Sequence, residues 1–173
     1  NLKPERSYNV NLVTQYGFRF LDDHKVNINA NVIYRYSYDF IYNRLNNNQS
    51  KLIADNREGV STIGGDVDMR YSYRNLLSLG GNLTYQYLRN QQKYEPEYTG
   101  VSPVYLDRMP NIPYLFGNFD ASVMFRDFVG KGNGLNLSYS LLYVYDFYLN
   151  WPSRGGSKLD IPKQLSHDIH IVY

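Results

Sequence analysis

The amino-acid sequence alternates between apolar and polar side chains with a period of two residues, and this alternation restricts the fold more than any other feature. It is clearest in residues 25–38. A helix would scatter the two sets around its surface, whereas a strand places them on opposite faces. The apolar set comprises Val26, Ile28, Ala30, Val32, Tyr34, Tyr36 and Tyr38, and the opposite face carries Asn27, Asn29, Asn31, Ile33, Arg35 and Ser37. The segment is therefore predicted to be a β-strand.

Six further segments show the same alternation and are predicted to be strands. They comprise residues 8–18, 60–74, 78–88, 115–127, 135–148 and 164–173. Short turns are predicted near residues 21–24, 75–77 and 130–134, and long loops over residues 43–59, 89–114 and 149–163. Short turns at one rim and long loops at the other are typical of an up-and-down antiparallel sheet. The sequence thus predicts one all-β unit of about seven strands, without a helix.

Alternation alone leaves two orientations open, because a soluble barrel buries its apolar face whereas a membrane barrel turns that face to lipid. Strand length favours the membrane. About 11 residues at ~3.3 Å each, tilted by about 40°, rise roughly 28 Å, close to the ~25 Å apolar band of outer-membrane barrels. No apolar run approaches the ~18 residues of a membrane helix. The chain is therefore predicted to be a transmembrane antiparallel up-and-down β-barrel.

Aromatic residues support the same orientation. The chain holds 19 Tyr and 8 Phe, and amphipathic rings suit the boundary between lipid and water. On the predicted apolar face they collect at two heights, which predicts two interfacial girdles. The long-loop girdle comprises Tyr34, Tyr36, Tyr38, Tyr85, Tyr87, Tyr143, Tyr145 and Phe147, and the short-turn girdle comprises Tyr16, Phe18, Tyr71, Tyr73, Phe125 and Tyr173.

Charged side chains of the strands fall on the opposite face, which is predicted to line the lumen. This set comprises Arg35, Asp66, Asp68, Arg70, Asp120, Arg126, Asp168 and His170. A register slip of one residue would move charges such as Arg35 and Arg70 into lipid, where a basic side chain at the midplane costs ~2–4 kcal/mol. A Ca²⁺ site would need six or more oxygen ligands. A salt-bridge network is expected instead, joining Asp66, Asp68, Arg70, Arg74, Asp120 and Arg126.

Seven strands do not complete a bacterial single-chain barrel, since such barrels have an even number of strands and eight is the smallest. An open edge in hydrocarbon would leave backbone groups unpaired at a cost of several kcal/mol each. Residues 1–173 are therefore expected to form only part of a barrel, with missing strands at both ends.

Four segments resemble TonB-dependent outer-membrane receptors. They are residues 108–118 (RMPNIPYLFGN), 130–132 (GKG), 143–149 (YVYDFYL) and 161–168 (IPKQLSHD). The specific likeness covers about residues 108–173, and the preceding part shares only the strand pattern. The chain is similar to the late section of the family's 22-stranded barrel. Residues 1–173 would then belong to the barrel domain of such a receptor, without its plug domain and without the closing strands.

The resemblance implies uptake of a scarce nutrient driven by TonB. The ligand would bind at the outer loops, and an N-terminal plug, absent from residues 1–173, would fill the lumen and contact TonB in the periplasm. Other implied partners are outer-membrane lipid, the remaining barrel strands and a surface lipoprotein over the mouth. Siderophore, haem, cobalamin, glycan and peptide all remain open as substrates. Two alternatives stay open as well: a passive porin or structural barrel, and a soluble lipocalin-like binding barrel.

The long loop of residues 89–114, on the expected outer rim, is the predicted ligand- or partner-binding segment. It is long and rich in Tyr and Pro, and long loops with restricted backbones are usually functional. The candidate contact residues are Tyr94, Tyr98, Tyr105 and Arg108. The alternative interpretation, equally open, is a loop that only folds over the mouth of the barrel.

Neither an enzyme nor a cofactor is predicted. The absence of Cys removes thiol nucleophiles and zinc-thiolate sites. His167 and His170 fall on opposite faces of a strand and cannot share one metal ion. Asp168 and His170 do share a face, but without a nucleophile an ordinary hydrogen bond in the lumen is favoured over an acid–base pair. A net charge of +2 gives no case for nucleic-acid binding.

Overall fold

The computed structural model describes residues 2–45, 48, 50–95 and 99–173. Its strands form one antiparallel sheet in which every strand pairs with its neighbours in the chain, in the order β1 to β7. The strands are β1 (Arg6–Phe20), β2 (His24–Leu45), β3 (Leu52–Tyr73), β4 (Leu77–Asn90), β5 (Leu115–Arg126), β6 (Gly134–Val144) and β7 (Gln164–Val172). The predicted up-and-down all-β fold is confirmed.

The register continues the two faces from strand to strand across the sheet, and most side chains of each kind stay on one face. One row of paired residues joins Ala30, Val67 and Leu83, and the adjacent row joins Asn31, Asp66 and Thr84. Because side chains alternate along each strand, these rows lie on opposite faces. We call them the apolar face and the polar face. Side chains in the middle of the apolar face are open to the surroundings, as Val32 is 56% exposed.

The sheet is not closed. Within the described residues, β1 pairs only with β2 and β7 pairs only with β6, so two strand edges stay open. Both edge strands are exposed along their full length. The structure is thus a partial barrel. No helix in the described part of the chain has the length and apolar character needed to cross a membrane.

One rim of the sheet carries the predicted short turns, over residues 21–23, 74–76 and 127–133. The first two turns are joined to each other. Arg74 donates from Nη2 to Oδ2 of Asp23 over 2.7 Å, and its backbone N–H donates to the Asp23 carbonyl. The hydrogen bond and charge of Arg74 lower the pKa of Asp23.

At the other rim the β2–β3 connection departs from the prediction. Residues 43–59 were expected to be a long polar loop, yet β2 and β3 are each 22 residues long and stay paired out to Leu45 and Leu52. An ion pair of 2.6 Å between Arg44 and Asp55 bridges this outer part of the hairpin. The alternation fades there because a strand beyond the membrane band needs no apolar face. We call residues 39–45 and 52–58 the hairpin extension; within it, residues 40–45 pair with residues 52–57.

The end of β6 also differs from the prediction. The strand ends at Val144 rather than near residue 148. Phe147 is buried and exchanges two backbone hydrogen bonds with Ile161. It was predicted to belong to the exposed long-loop girdle, and the structure does not place it there. Two short 3-10 helices, Pro152–Arg154 and Lys158–Asp160, follow in this connection, where no helix was predicted.

Candidate functional site

The long connections pack onto the polar face at their end of the sheet and form its only cluster of buried hydrophobic residues among those described. Ser37, Val60 and Asn90 are paired neighbours on three strands and are all fully buried. The cluster consists of Tyr42, Val60, Leu88, Val104, Met109 and Trp151. Its members come from the hairpin extension, the strands β3 and β4, and the two connections over residues 91–114 and 145–163, called here the β4–β5 loop and the β6–β7 loop. We call this region the capped end.

Asn90 anchors the β4–β5 loop. Its side chain donates to the Val104 carbonyl over 2.8 Å and accepts from the backbone N–H of Gln92 over 3.1 Å. Its backbone also exchanges hydrogen bonds with Leu106 and Asp107. A buried amide with this many partners satisfies most of its donors and acceptors, and it holds the returning loop against β4.

Arg57 and Glu95 form a largely buried ion pair at the capped end. Arg57 Nη1 lies 2.8 Å from Glu95 Oε1, and the two side chains are only 9% and 11% exposed. The guanidinium carbon lies 4.9 Å from the ring centroid of Trp151 and 5.7 Å from that of Tyr42. One arginine therefore joins the hairpin extension, the β4–β5 loop and the β6–β7 loop.

The Glu95 carboxylate is held in its charged form. Burial opposes the charge, but the hydrogen bond from the Ser102 hydroxyl and the charge of Arg57 outweigh it and lower the pKa of Glu95. Both favourable groups contact Oε1. Because Ser102 lies in the same loop, this contact also closes the loop upon itself.

A second contact joins the two loops directly. Asp107 accepts from the backbone N–H of Ser153 over 2.9 Å and from its hydroxyl over 2.6 Å. The carboxylate thus fixes the start of the 3-10 helix Pro152–Arg154. With the Arg57 pair, it makes the capped end one connected unit rather than separate loops.

The aromatic residues of the apolar face lie in two groups at opposite rims. Near the long connections, Tyr114 packs edge-on against Tyr85 and Tyr145, and Tyr36 packs against Tyr38. Near the short turns, the rings of Phe18, Phe20, His24 and Tyr73 follow one another in contact. Aliphatic side chains such as Val67 and Leu83 lie between the two groups.

The predicted lumen residues share the polar face. Asp66 and Asp68 accept hydrogen bonds from Asn31 and Asn29, over 3.0 and 3.1 Å. One continuous row of paired positions crosses six strands through Asn27, Arg70, Gly80, Asp120, Ser140 and Asp168. On the same face Arg35 donates to Asn9, His170 is opposite Ser138, and Arg126 is opposite Gly134.

The predicted salt-bridge network on this face is wrong for the described residues. Asp66 and Asp68 bind amides instead, and Arg74 pairs with Asp23 in the turn. The ion pairs found among the described residues lie at the two rims instead. They are Lys3–Asp39, Arg44–Asp55, Arg57–Glu95 and Arg74–Asp23. The sequence pattern placed these charges on one face, but it carries no information on which of them come within 4 Å.

The candidate loop residues are not brought together. Tyr94 is 64% exposed and has Lys93 over its ring, whereas Tyr105 is half-buried. Arg108 lies instead over the rings of Tyr87 and Tyr114. Tyr98 lies outside the described residues. The residues that organise this region, Arg57, Asn90, Glu95 and Trp151, were missed, and the only sequence signal for them is a lone Trp.

The histidines near the chain end face opposite sides, as predicted. His167 lies on the apolar face and is hydrogen-bonded to the Tyr139 hydroxyl over 2.7 Å, while His170 lies on the polar face opposite Ser138. Within the described residues no group of three or more His, Cys, Asp or Glu is placed to hold a metal ion.

An open antiparallel meander with an exposed aliphatic face, two aromatic belts and a loop-capped rim defines the class of protein: it is a section of an outer-membrane β-barrel wall. The family model described as TonB dependent receptor-like, beta-barrel matches residues 1–169, so the chain belongs to this family. The match extends the likeness over the part that had shown only the strand pattern. The family is one of outer-membrane receptors and transporters, with TonB and a plug domain as its general partners. No curated protein matches the chain.

Proposed function

We propose that this chain forms part of the transmembrane barrel of a receptor that takes up a scarce nutrient with energy delivered through TonB. The observation that carries the proposal is the family match over residues 1–169. The sorting of side chains on the two faces supports a membrane location over a soluble lipocalin-like barrel. Aliphatic residues such as Val67 and Leu83 lie between two aromatic groups on one face, which is the arrangement at a lipid boundary with two interfaces.

In this proposal the apolar face contacts outer-membrane lipid and the polar face lines the lumen. The remaining strands of the barrel pair with the open edges of β1 and β7, because unpaired backbone groups are costly in hydrocarbon. The plug domain lies against the polar row that includes Arg70, Asp120 and Asp168. A wall of amides, hydroxyls and unpaired charges provides the hydrogen-bonding groups for such a polar contact.

The ligand is proposed to bind at the capped end, with Tyr94, Tyr98 and Tyr105 as contacts. Tyr94 is exposed on a loop whose base is anchored by Asn90 and by the Arg57–Glu95 pair. A rigid base lowers the entropic cost of ordering contact residues when a ligand binds. A surface lipoprotein over the mouth would contact the same side.

The experiment compares uptake by cells that carry the full-length receptor with uptake by the same cells lacking TonB. The probes are an iron–siderophore, haem, cobalamin, an oligosaccharide and an oligopeptide, each radiolabelled. We expect accumulation of one of them to depend on TonB. Uptake that is unchanged without TonB would instead support a passive porin and would contradict the proposal.

The loop contacts are tested with the full-length receptor and the probe identified in this way. The double substitution Tyr94→Ala and Tyr105→Ala is expected to weaken binding by about tenfold or more, as loss of aromatic contacts typically does. Val101→Ala, at an exposed position of the same loop, serves as the matched control. Equal affinity of the double variant and the control would exclude these tyrosines as ligand contacts.

A further inference from the structure

Two arginines lie side by side on the apolar face at its long-loop rim. The outward row of β4 runs through Leu83, Tyr85 and Tyr87 and ends at Arg89. Arg108, in the returning β4–β5 loop, is paired with Arg89 by a single antiparallel bridge. Backbone pairing therefore fixes two like charges next to each other, directly beyond the last tyrosines of the aromatic belt.

One tyrosine ring lies beneath both guanidinium groups. The Arg108 Cζ lies 4.5 Å and the Arg89 Cζ 5.0 Å from the ring centroid of Tyr87. Arg108 is also 4.0 Å from the ring centroid of Tyr114, and Arg89 Nη2 lies 3.3 Å from the Tyr87 hydroxyl oxygen. Cation–π contacts orient these side chains but do not neutralise their charge.

This pair has no anionic partner among the described residues. No described carboxylate lies within 4.0 Å of either guanidinium, and the Arg89 Nε is buried without a hydrogen-bond partner. Asp107, which directly precedes Arg108 in the sequence, already accepts two hydrogen bonds from Ser153. Two adjacent cations on a half-buried surface, without a described carboxylate beside them, favour binding of an anion.

A cleft of about 250 Å³ opens beside the pair. Its lining includes Tyr87, Arg108, Tyr148 and Lys158, while Arg89 stands next to Arg108 outside the lining. Asp107 also lines the cleft, and its two carboxylate oxygens are held by Ser153. Lys158 adds a third positive charge and comes from the β6–β7 loop, so the cleft lies between the two loops. Its volume admits a phosphate group, and guanidinium forks match phosphate oxygens in geometry and charge.

We propose that this cleft binds the phosphate of a phosphorylated lipid headgroup. The site lies on the outward face, beside the tyrosine belt that marks the lipid–water boundary, so the occupant approaches from the membrane rather than from the lumen. Acyl chains would then continue along the apolar face below Tyr85 and Tyr87. The proposal rests on the orientation of the apolar face toward lipid and not on nutrient uptake.

Native mass spectrometry of the full-length receptor in a non-ionic detergent tests the proposal. The probes are a phosphatidic acid and the diacylglycerol with the same acyl chains, which differ only in the phosphate. We expect adducts with phosphatidic acid and none with diacylglycerol. Equal binding of both lipids by the unmodified receptor would overturn the proposal without any variant being needed.

The double substitution Arg89→Gln and Arg108→Gln is expected to weaken phosphatidic acid binding by about tenfold or more, as loss of charge-assisted hydrogen bonds does. The matched control is Arg19→Gln with Arg126→Gln, which also removes two positive charges. Both residues lie at the short-turn rim, in β1 and β5, away from the proposed cleft. Heat-modifiable mobility on gels reports that each variant folds. Wild-type affinity in the folded Arg89/Arg108 variant would contradict the proposal.

Inorganic phosphate distinguishes a lipid headgroup from a soluble anion. We expect it to compete with phosphatidic acid only at far higher concentration, because it lacks acyl chains. Competition at equal concentration would assign the cleft to a soluble anion and overturn the lipid assignment. Uptake assays on the same variants separate the two proposals, since loss of lipid binding with TonB-dependent uptake retained leaves the proposed function intact.

Discussion

At the scale of single residues, Arg57 is a charged side chain in a largely buried environment. Its side chain is charged and only 9% exposed, and the loss of hydration is offset by a carboxylate at 2.8 Å and by two aromatic rings. Burying such a pair contributes little net stability, but removing one partner leaves the other buried and uncompensated. The pair therefore acts mainly to specify one arrangement of the loops.

Replacing Arg57 with Gln is expected to loosen the β4–β5 loop, because Glu95 would lose its counterion inside the capped end. The cost of breaking a buried pair is about 3–5 kcal/mol. Hydrogen exchange of the full-length receptor measures this loosening, which should appear as faster exchange over residues 99–109. Arg74→Gln, which breaks the exposed pair with Asp23 at the other rim, serves as the control and should leave this loop unchanged. Unaltered loop exchange in the Arg57 variant would refute the anchoring role.

Acidification should open the same loop. The pKa of Glu95 is lower in the folded protein than its ordinary value of 4.5. Its contribution is therefore fully present above about pH 4.5 and is lost as the pH falls through the lower, folded-state pKa. Proteolytic or exchange protection of residues 99–109 should drop over that acidic range. In the Glu95→Gln variant this pH-dependent loss of protection should be small. A loss of equal size in that variant would show that other groups cause it.

At the scale of elements, the close approach of neighbouring strands limits which side chains fit at some positions. Gly117 of β5 is paired with Leu83 of β4, and it also pairs with Tyr143 of β6. A Cβ at this position would overlap the backbone oxygen of Asn82. Glycine here permits a close approach of two strand backbones, which is one of the few reasons for glycine within a strand.

Gly117→Ala is expected to destabilise the barrel by about 1–3 kcal/mol, because backbone rather than a flexible side chain must move to admit the methyl group. The measurement is the denaturant midpoint of the reconstituted full-length receptor. Gly100→Ala is the matched control, since an added Cβ there meets no atom within 4 Å. Equal midpoints for the two variants would show that β4 and β5 separate at little cost.

At the scale of the whole molecule, the two faces of the sheet decide how it meets its surroundings. Adjacent residues of one strand, such as Asn82 and Leu83, point to opposite sides and belong to rows that continue over the neighbouring strands. The apolar rows contact lipid and the polar rows line a lumen in the orientation proposed above. Both edges of the sheet remain available for further strands.

This orientation predicts opposite labelling of two adjacent positions. The chain has no Cys, so single substitutions Asn82→Cys and Leu83→Cys introduce unique thiols. In the receptor reconstituted into lipid bilayers, with the plug removed, a water-soluble maleimide should label residue 82 and spare residue 83. Both should react after denaturation. The reverse pattern in bilayers would place the apolar face in the interior and refute the membrane orientation.

Much of this architecture was accessible from the sequence, because strand alternation is enforced residue by residue. The bounds of β5 and β7 were predicted within one residue, since β5 starts at Leu115 and β7 at Gln164. The prediction failed beyond the membrane band, in the hairpin extension and after Val144. There no solvent boundary forces one face to be apolar, so strand and loop have similar compositions.

The sequence by itself determined the number of strands, their two faces and the membership of a receptor family. These properties follow from a period of two residues and from local motifs, and each is carried by neighbours in the chain. Only the tertiary structure decided that Arg57 meets Glu95 and that Arg108 lies beside Arg89 over Tyr87. Such contacts join residues far apart in the chain, and they depend on how the long loops return to the sheet, which no local pattern of side chains records.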